Sequence, residues 1–244
     1  MKLFLRIVFV FAGLCSVGLA SVVAATDASA LGAWRLQGGR AEHVLIVTDG
    51  YWSRTVYDRE ARQFLRTFGG TYWASGDNVE GKIEFDSQDR ARVGEFFRTT
   101  VNVDGDVLRM PREEGGEEVW ERIDDGRRAL AGTWRITGRM VDGTFSEMPL
   151  RARRTLKILS GTRFQWVAIN VETGEFSGTG GGTYTFESGR YTENIEFFSR
   201  DSSRVGAQLA FDGEVNGDTW RHRGRSSRGD PIDETWERFA TASN

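Results

Sequence analysis

Gly70-Thr-Tyr-Trp-Ala-Ser-Gly-Asp-Asn-Val-Glu-Gly-Lys-Ile-Glu-Phe85 returns 112 positions later as Gly182-Thr-Tyr-Thr-Phe-Glu-Ser-Gly-Arg-Tyr-Thr-Glu-Asn-Ile-Glu-Phe197. The same offset carries Arg92-Val93-Gly94 onto Arg204-Val205-Gly206, and Val103-Asp104-Gly105-Asp106 onto Val215-Asn216-Gly217-Asp218. Working outward, each copy opens on a tryptophan, in Gly32-Ala-Trp34 and Gly132-Thr-Trp134. Each closes on one phrase, Val119-Trp120-Glu121-Arg122 and Thr235-Trp236-Glu237-Arg238. The chain after residue 30 is thus a duplication, with units at 31–125 and 130–240, each long enough for its own core.

The segments read as strands. Arg190 to Phe198 and Val205 to Val215 are rich in β-branched and aromatic residues between turn signals. Asp104-Gly105 and Asn216-Gly217 predict two-residue hairpins of type I′. Gly69-Gly70 and Gly180-Gly181-Gly182 mark a bend or bulge. Asp58 to Thr67 is open to a short helix or a loop. Short antiparallel strands in this density point to an all-β chain of two tandem up-and-down barrels, an architecture that removes exposed edges.

Composition narrows the function classes. Net charge is -3 and the arginines are interspersed with acids, so no basic stripe for nucleic acid is present. Lys2 and Arg6, the apolar run Ile7 to Ala20 and the small residues after it read as a signal peptide over 1–25, cut after Val23-Ala24-Ala25. The sole cysteine, Cys15, falls inside that signal, which leaves the mature chain without disulfides. The expected address is secreted or periplasmic, in a bacterial envelope, with no stable membrane span once the signal is removed.

Gly32-x-Trp34 and Gly132-x-Trp134 on the first strand, with Arg122 and Arg238 on the last, resemble the signature of the lipocalin/calycin superfamily. That resemblance implies a tryptophan packed beneath an arginine at one closed end of each barrel. Arg163-Phe-Gln-Trp166, Gly180-Gly-Gly-Thr-Tyr-Thr185, Tyr191 to Phe198, and Gly229-Asp-Pro-Ile232 followed by Glu234-x-Trp236 are similar to an uncharacterised group of secreted bacterial lipocalin-like proteins. The likeness covers about a hundred residues of the second copy. It implies a barrel and an envelope address but carries no activity over.

Alternation assigns faces. Val79, Gly81, Ile83 and Phe85 share one side of a strand, which predicts Tyr191, Glu193, Ile195 and Phe197 as the interior set of the second copy. Across the hairpin, Leu209, Phe211, Val215, Trp220 and His222 point inward, against Phe97, Thr99, Val103, Leu108 and Met110 in the first copy. The first barrel therefore reads as plugged by aliphatic side chains. The second reads as a ligand pocket walled by Tyr191, Glu193, Trp220 and His222, with Arg200 and Arg204 at one mouth. The bland alternative is a Glu193–His222 network that satisfies itself inside a core.

Chemistry is sparse. Glu193 and Glu196 face opposite sides of a strand and cannot flank one glycosidic bond. His43 and His222 are the only histidines, so no metal site is predicted, and no catalytic residues are assigned. The cofactor is unknown, although haem ligation by His222 is one form of a ligand site. The leading expectation is a binding protein for a small apolar or amphipathic ligand in the C-terminal barrel. An enzyme using His222 and Glu193 as an acid–base pair, and a structural or interaction module without ligand, are the alternatives.

Overall fold

The computed structural model describes residues 30–112 and 114–239; the signal peptide read over 1–25 lies outside them. The first copy folds into β1 (Gly32–Leu36), β2 (Glu42–Thr48), β3 (Tyr51–Asp58), β4 (Gln63–Ser75), β5 (Asn78–Asp86), β6 (Phe96–Thr100), β7 (Asn102–Asp104), β8 (Val107–Pro111) and β9 (Glu117–Asp124). Its sheet runs β6-β5-β4-β3-β2-β1-β9-β8-β7. The two ends of that order, β6 and β7, are halves of one strand interrupted at Val101, so the sheet curls round into a barrel. Asp58 to Thr67 contains no helix: β3 turns directly into β4.

The second copy contains β10 (Gly132–Val141), β11 (Thr144–Glu147), β12 (Arg153–Leu159), β13 (Arg163–Asn170), β14 (Phe176–Glu187), β15 (Arg190–Phe198), β16 (Gln208–Asn216), β17 (Thr219–Arg225) and β18 (Pro231–Arg238). Here β10 pairs with β18 and closes the ring, while β11 is an appended hairpin strand. The chain is therefore all-β, as two tandem antiparallel barrels.

The tryptophans close one end of each barrel. Trp34 and Trp134 are fully buried, and each indole N–H donates to a carbonyl four residues earlier, Ala30 and Leu130, at 2.8 Å. The Arg122 guanidinium lies 4.0 Å from the Trp34 ring centre, and that of Arg238 lies 4.4 Å from Trp134. Burial of the ring supplies most of the stabilisation, and the cation–π contact adds about 0.5–2 kcal/mol.

Two sequence expectations shift in register. The hairpin turns hold Gly105-Asp106 and Gly217-Asp218, since Asp104 pairs with Val107 and Asn216 with Thr219. Only the glycine of each has positive φ, the pattern of a type II′ turn rather than I′. Sliding the pairing by an even number of residues leaves every side chain on its predicted face. A bulge does not. In β5 the partner of Gly70 is Ile83 and that of Gly69 is Phe85; in β15, Gly182 faces Ile195 and Gly181 faces Phe197. The skipped residues, Glu84 and Glu196, reverse the alternation, so Phe85 and Phe197 leave the lumen and turn outward. Gly70 and Gly182 allow this close passage, because a Cβ on either would collide with a carbonyl of the neighbouring strand.

Outward, in this molecule, means toward the other barrel. Val44, Ile46, Tyr51, Tyr57 and Phe85 pack with Leu156, Ile158, Val167, Ile169 and Phe197 in one apolar cluster that joins the copies. Polar residues specify the fit. The Gln165 amide accepts from Thr55 Oγ1 at 3.0 Å and donates to Thr67 Oγ1 at 2.9 Å and Thr179 Oγ1 at 3.0 Å. Glu196 accepts from Tyr57 Oη at 2.7 Å and from Arg163 at 2.6 Å. Asp124 reaches out of β9 to the β12–β13 turn, taking bonds from Ser160, Gly161 and Thr162. Burial would raise its carboxyl, but those bonds outweigh it and hold the group below the usual carboxylate range.

Candidate functional site

A cavity of about 740 Å³ runs through the N-terminal barrel. Its apolar walls come from inward-facing residues of successive strands, among them Leu45, Trp52, Phe68, Val79, Phe97 and Leu108. This departs from the expectation that the first barrel is plugged. The 112-residue offset gives the reason. At equivalent interior places the first barrel has Leu45, Ala74, Val79, Gly81, Thr99 and Leu108 where the second has Lys157, Phe186, Tyr191, Glu193, Phe211 and Trp220. Every exchange adds volume to the second lumen. Apolar character alone does not fill a barrel; side-chain volume does.

The second lumen is packed accordingly. Tyr191, Glu193, Trp220 and His222 do come together: Tyr191 lies 4.9 Å from Trp220 between ring centres, and Trp220 4.9 Å from His222. All four are buried within the aromatic core of Trp134, Phe211 and Trp236. Glu193 takes a 2.7 Å bond from the Lys157 ammonium, an ion pair with side chains 7% and 5% exposed. That ammonium also sits 4.8 Å from the Tyr191 ring centre and 5.2 Å from that of Trp220. Lys157 was not singled out in the sequence; its signal was a lysine standing at the inward place of Leu45.

His222 is bonded through one nitrogen only, its buried Nδ1 having no hydrogen-bond partner among the described residues. Its Nε2 lies 3.0 Å from Glu234 Oε2, and since a carboxylate only accepts, Nε2 carries the proton. With that nitrogen protonated, the Trp236 indole N–H, 3.1 Å away, cannot bond it and is directed instead to the Glu234 carboxylate, which it helps hold below the usual range. Burial lowers the His222 pKa, and the nearby Lys157 charge lowers it further. Arg200 and Arg204 stand apart from this cluster. Arg200 Nε donates to Ser177 O at 2.7 Å with the side chain over Trp166, while Arg204 bonds Asp201 at 3.0 Å and the Ser227 carbonyl.

The open lumen has its own polar group. Arg54 on β3 reaches across β2 and β1 to Glu118 on β9, with both guanidinium ends on both carboxylate oxygens at 2.9 and 3.0 Å. Its Nη2 also lies 3.1 Å from His43 Nδ1. A guanidinium only donates, so Nδ1 is the acceptor and the imidazole proton is fixed on Nε2. Burial and the Arg54 charge both lower the His43 pKa, so the ring is neutral near pH 7. All three residues line the cavity. The second barrel has Thr155 and Trp166 at the places of His43 and Arg54. That contrast was readable in the sequence, yet the arginine's tie to Glu118 was not, because the two lie on strands far apart in the chain.

Toward the loop end of the barrel, Asp86 accepts from Arg66 at 2.5 Å and Arg92 at 2.9 Å. The Phe68 ring lies beneath the guanidiniums of Arg66 at 4.7 Å and Arg92 at 5.3 Å.

No family model and no curated protein matches this chain. The barrels are compatible with a calycin-like fold.

Proposed function

We propose that the chain is a lipocalin-like binding protein that holds a small, mostly apolar molecule in its N-terminal barrel. One observation carries this reading: of two copies of the same barrel, one is filled with aromatic side chains and the other retains about 740 Å³. A volume of that size falls in the usual range for small-molecule sites, and apolar walls with few placed polar groups are their usual lining. The C-terminal barrel serves as a packed partner that covers one outer wall of the binding barrel. The residues of 1–25, read as an export signal, support an envelope address, and on that reading the ligand is one met outside the cytoplasm.

The test is uptake of Nile red, a neutral apolar dye, by the native chain and by Ala74→Phe/Val79→Tyr/Leu108→Trp, which imports the second barrel's own side chains. Fluorescence enhancement with the native chain and its loss in the folded triple variant is the expected result. Equal enhancement with both would place the dye elsewhere and defeat the reading.

A further inference from the structure

The charges inside the cavity say more about the ligand than its volume does. Arg54 lines the lumen, and Glu118, also in its wall, engages it through both oxygens at 2.9 and 3.0 Å. His43 adds no charge, and its Nδ1 is already taken by Arg54. What remains are donors without an acceptor: nothing among the described residues accepts from the His43 Nε2–H, and the buried indole N–H groups of Trp52 and Trp120 and the Arg54 Nε–H are unpaired too, all four residues lining the cavity. Of the other arginines that line the cavity, Arg66 and Arg92 bond Asp86, Arg98 pairs with Glu80 at 2.6 Å, and Arg112 is exposed and lines the cavity together with Glu114.

Resting on the reading of this lumen as a ligand site, we propose that it selects an uncharged ligand carrying a hydrogen-bond acceptor, a ketone, ester or amide carbonyl, which takes the His43 Nε2–H. A carboxylate of the same shape is disfavoured. Placed against His43 it would lie beside the Glu118 carboxylate, with Arg54 already neutralised, and would lose its hydration without gaining a counter-charge. A carbonyl loses little hydration and satisfies a donor that is otherwise unmet. A bare alkane leaves that donor unmet and is held less tightly than the carbonyl compound.

The experiment is displacement of Nile red from the full chain by methyl laurate, laurate and dodecane. Methyl laurate is expected to displace the dye at concentrations about tenfold lower than either of the others, the scale of one net hydrogen bond. His43→Phe should erase the advantage of the ester over dodecane, and His43→Gln, which supplies an amide donor from the same place, should keep it. Glu118→Gln leaves Arg54 with unbalanced charge and should turn the preference toward laurate. Circular dichroism establishes that each variant is folded; the native chain's ranking of the three compounds stands as a test even if one is not. Laurate binding as tightly as its ester, or an ester preference untouched by His43→Phe, overturns the proposal while the cavity reading stands. If the native chain takes up neither the dye nor any of the three compounds, the cavity reading fails and this inference with it.

Discussion

Leu108 and Trp220 stand at the same place in two copies of one barrel, each opposite the tryptophan of its closing strand, Trp120 or Trp236. Both are buried, yet one borders a cavity and the other is part of an aromatic core. The second copy therefore serves as a ready-made set of substitutions for the first.

Exchanging them has opposite effects on the two barrels. Trp220→Leu should destabilise the chain by about 2–5 kcal/mol, because the surrounding rings leave a void that relaxes only in part. Urea denaturation with far-UV detection measures it. A loss below about 1 kcal/mol would show that the second lumen is loosely filled.

The end plugs should be costly to remove. Trp34→Ala and Trp134→Ala each delete a fully buried ring, its indole hydrogen bond and its arginine contact, for an expected loss of about 3–5 kcal/mol. Near-neutral unfolding curves for either variant would contradict the closed-end geometry.

Gln165 joins the two barrels through Thr55 and Thr67, so Gln165→Leu removes three hydrogen bonds from a buried contact, the third to Thr179, and leaves each hydroxyl with only its remaining partner, Thr55 with Thr67, Thr67 with the Arg54 carbonyl and Thr179 with the Trp166 carbonyl. The expected cost is about 1–3 kcal/mol. Differential scanning calorimetry should show one transition in the native chain and a lowered or split transition in the variant. An unchanged thermogram would mean that the contact does not couple the barrels.

Acid should weaken the fold in two stages. Burial holds His43 and His222 below their unfolded value of 6.5, so the unfolded chain takes up protons first as pH falls through that value. Their contribution is complete above 6.5 and is lost as pH falls toward the folded values. Asp86, Asp124 and Glu234, also held low, follow near and below the ordinary carboxylate range. Melting temperature measured from about pH 8 to about pH 3 should therefore decline already between about pH 7 and about pH 5. His222→Gln should flatten that upper part, and a native profile level across it would refute the assignment.

Much of this architecture could be read from residues alone. The repeat and the inward faces of Phe97, Thr99, Leu108 and Met110 follow from spacing and alternation, and the closing Trp–Arg pairs from the resemblance to the calycin signature. The identity of the open barrel did not, for a physical reason: polar and aromatic substitutions such as Gly81 to Glu193 were read as chemistry, whereas in a lumen of fixed diameter their first effect is bulk. Phe85 and Phe197 escaped because a bulge at Glu84 and Glu196 reverses the face after it, and nothing local marks which residue the partner strand will skip. The Arg54–Glu118 pair escaped because it spans the lumen.

The two faces of β2 and β3 carry a further consequence. His43, Leu45 and Arg54 look into the cavity, while Val44, Ile46 and Thr55, their immediate neighbours, are covered by the second barrel. Neither copy can now be lost without leaving the other with a bare apolar flank in water. The contact is one-way: side chains in either lumen can be exchanged without touching it, whereas removing either copy opens its apolar face to water.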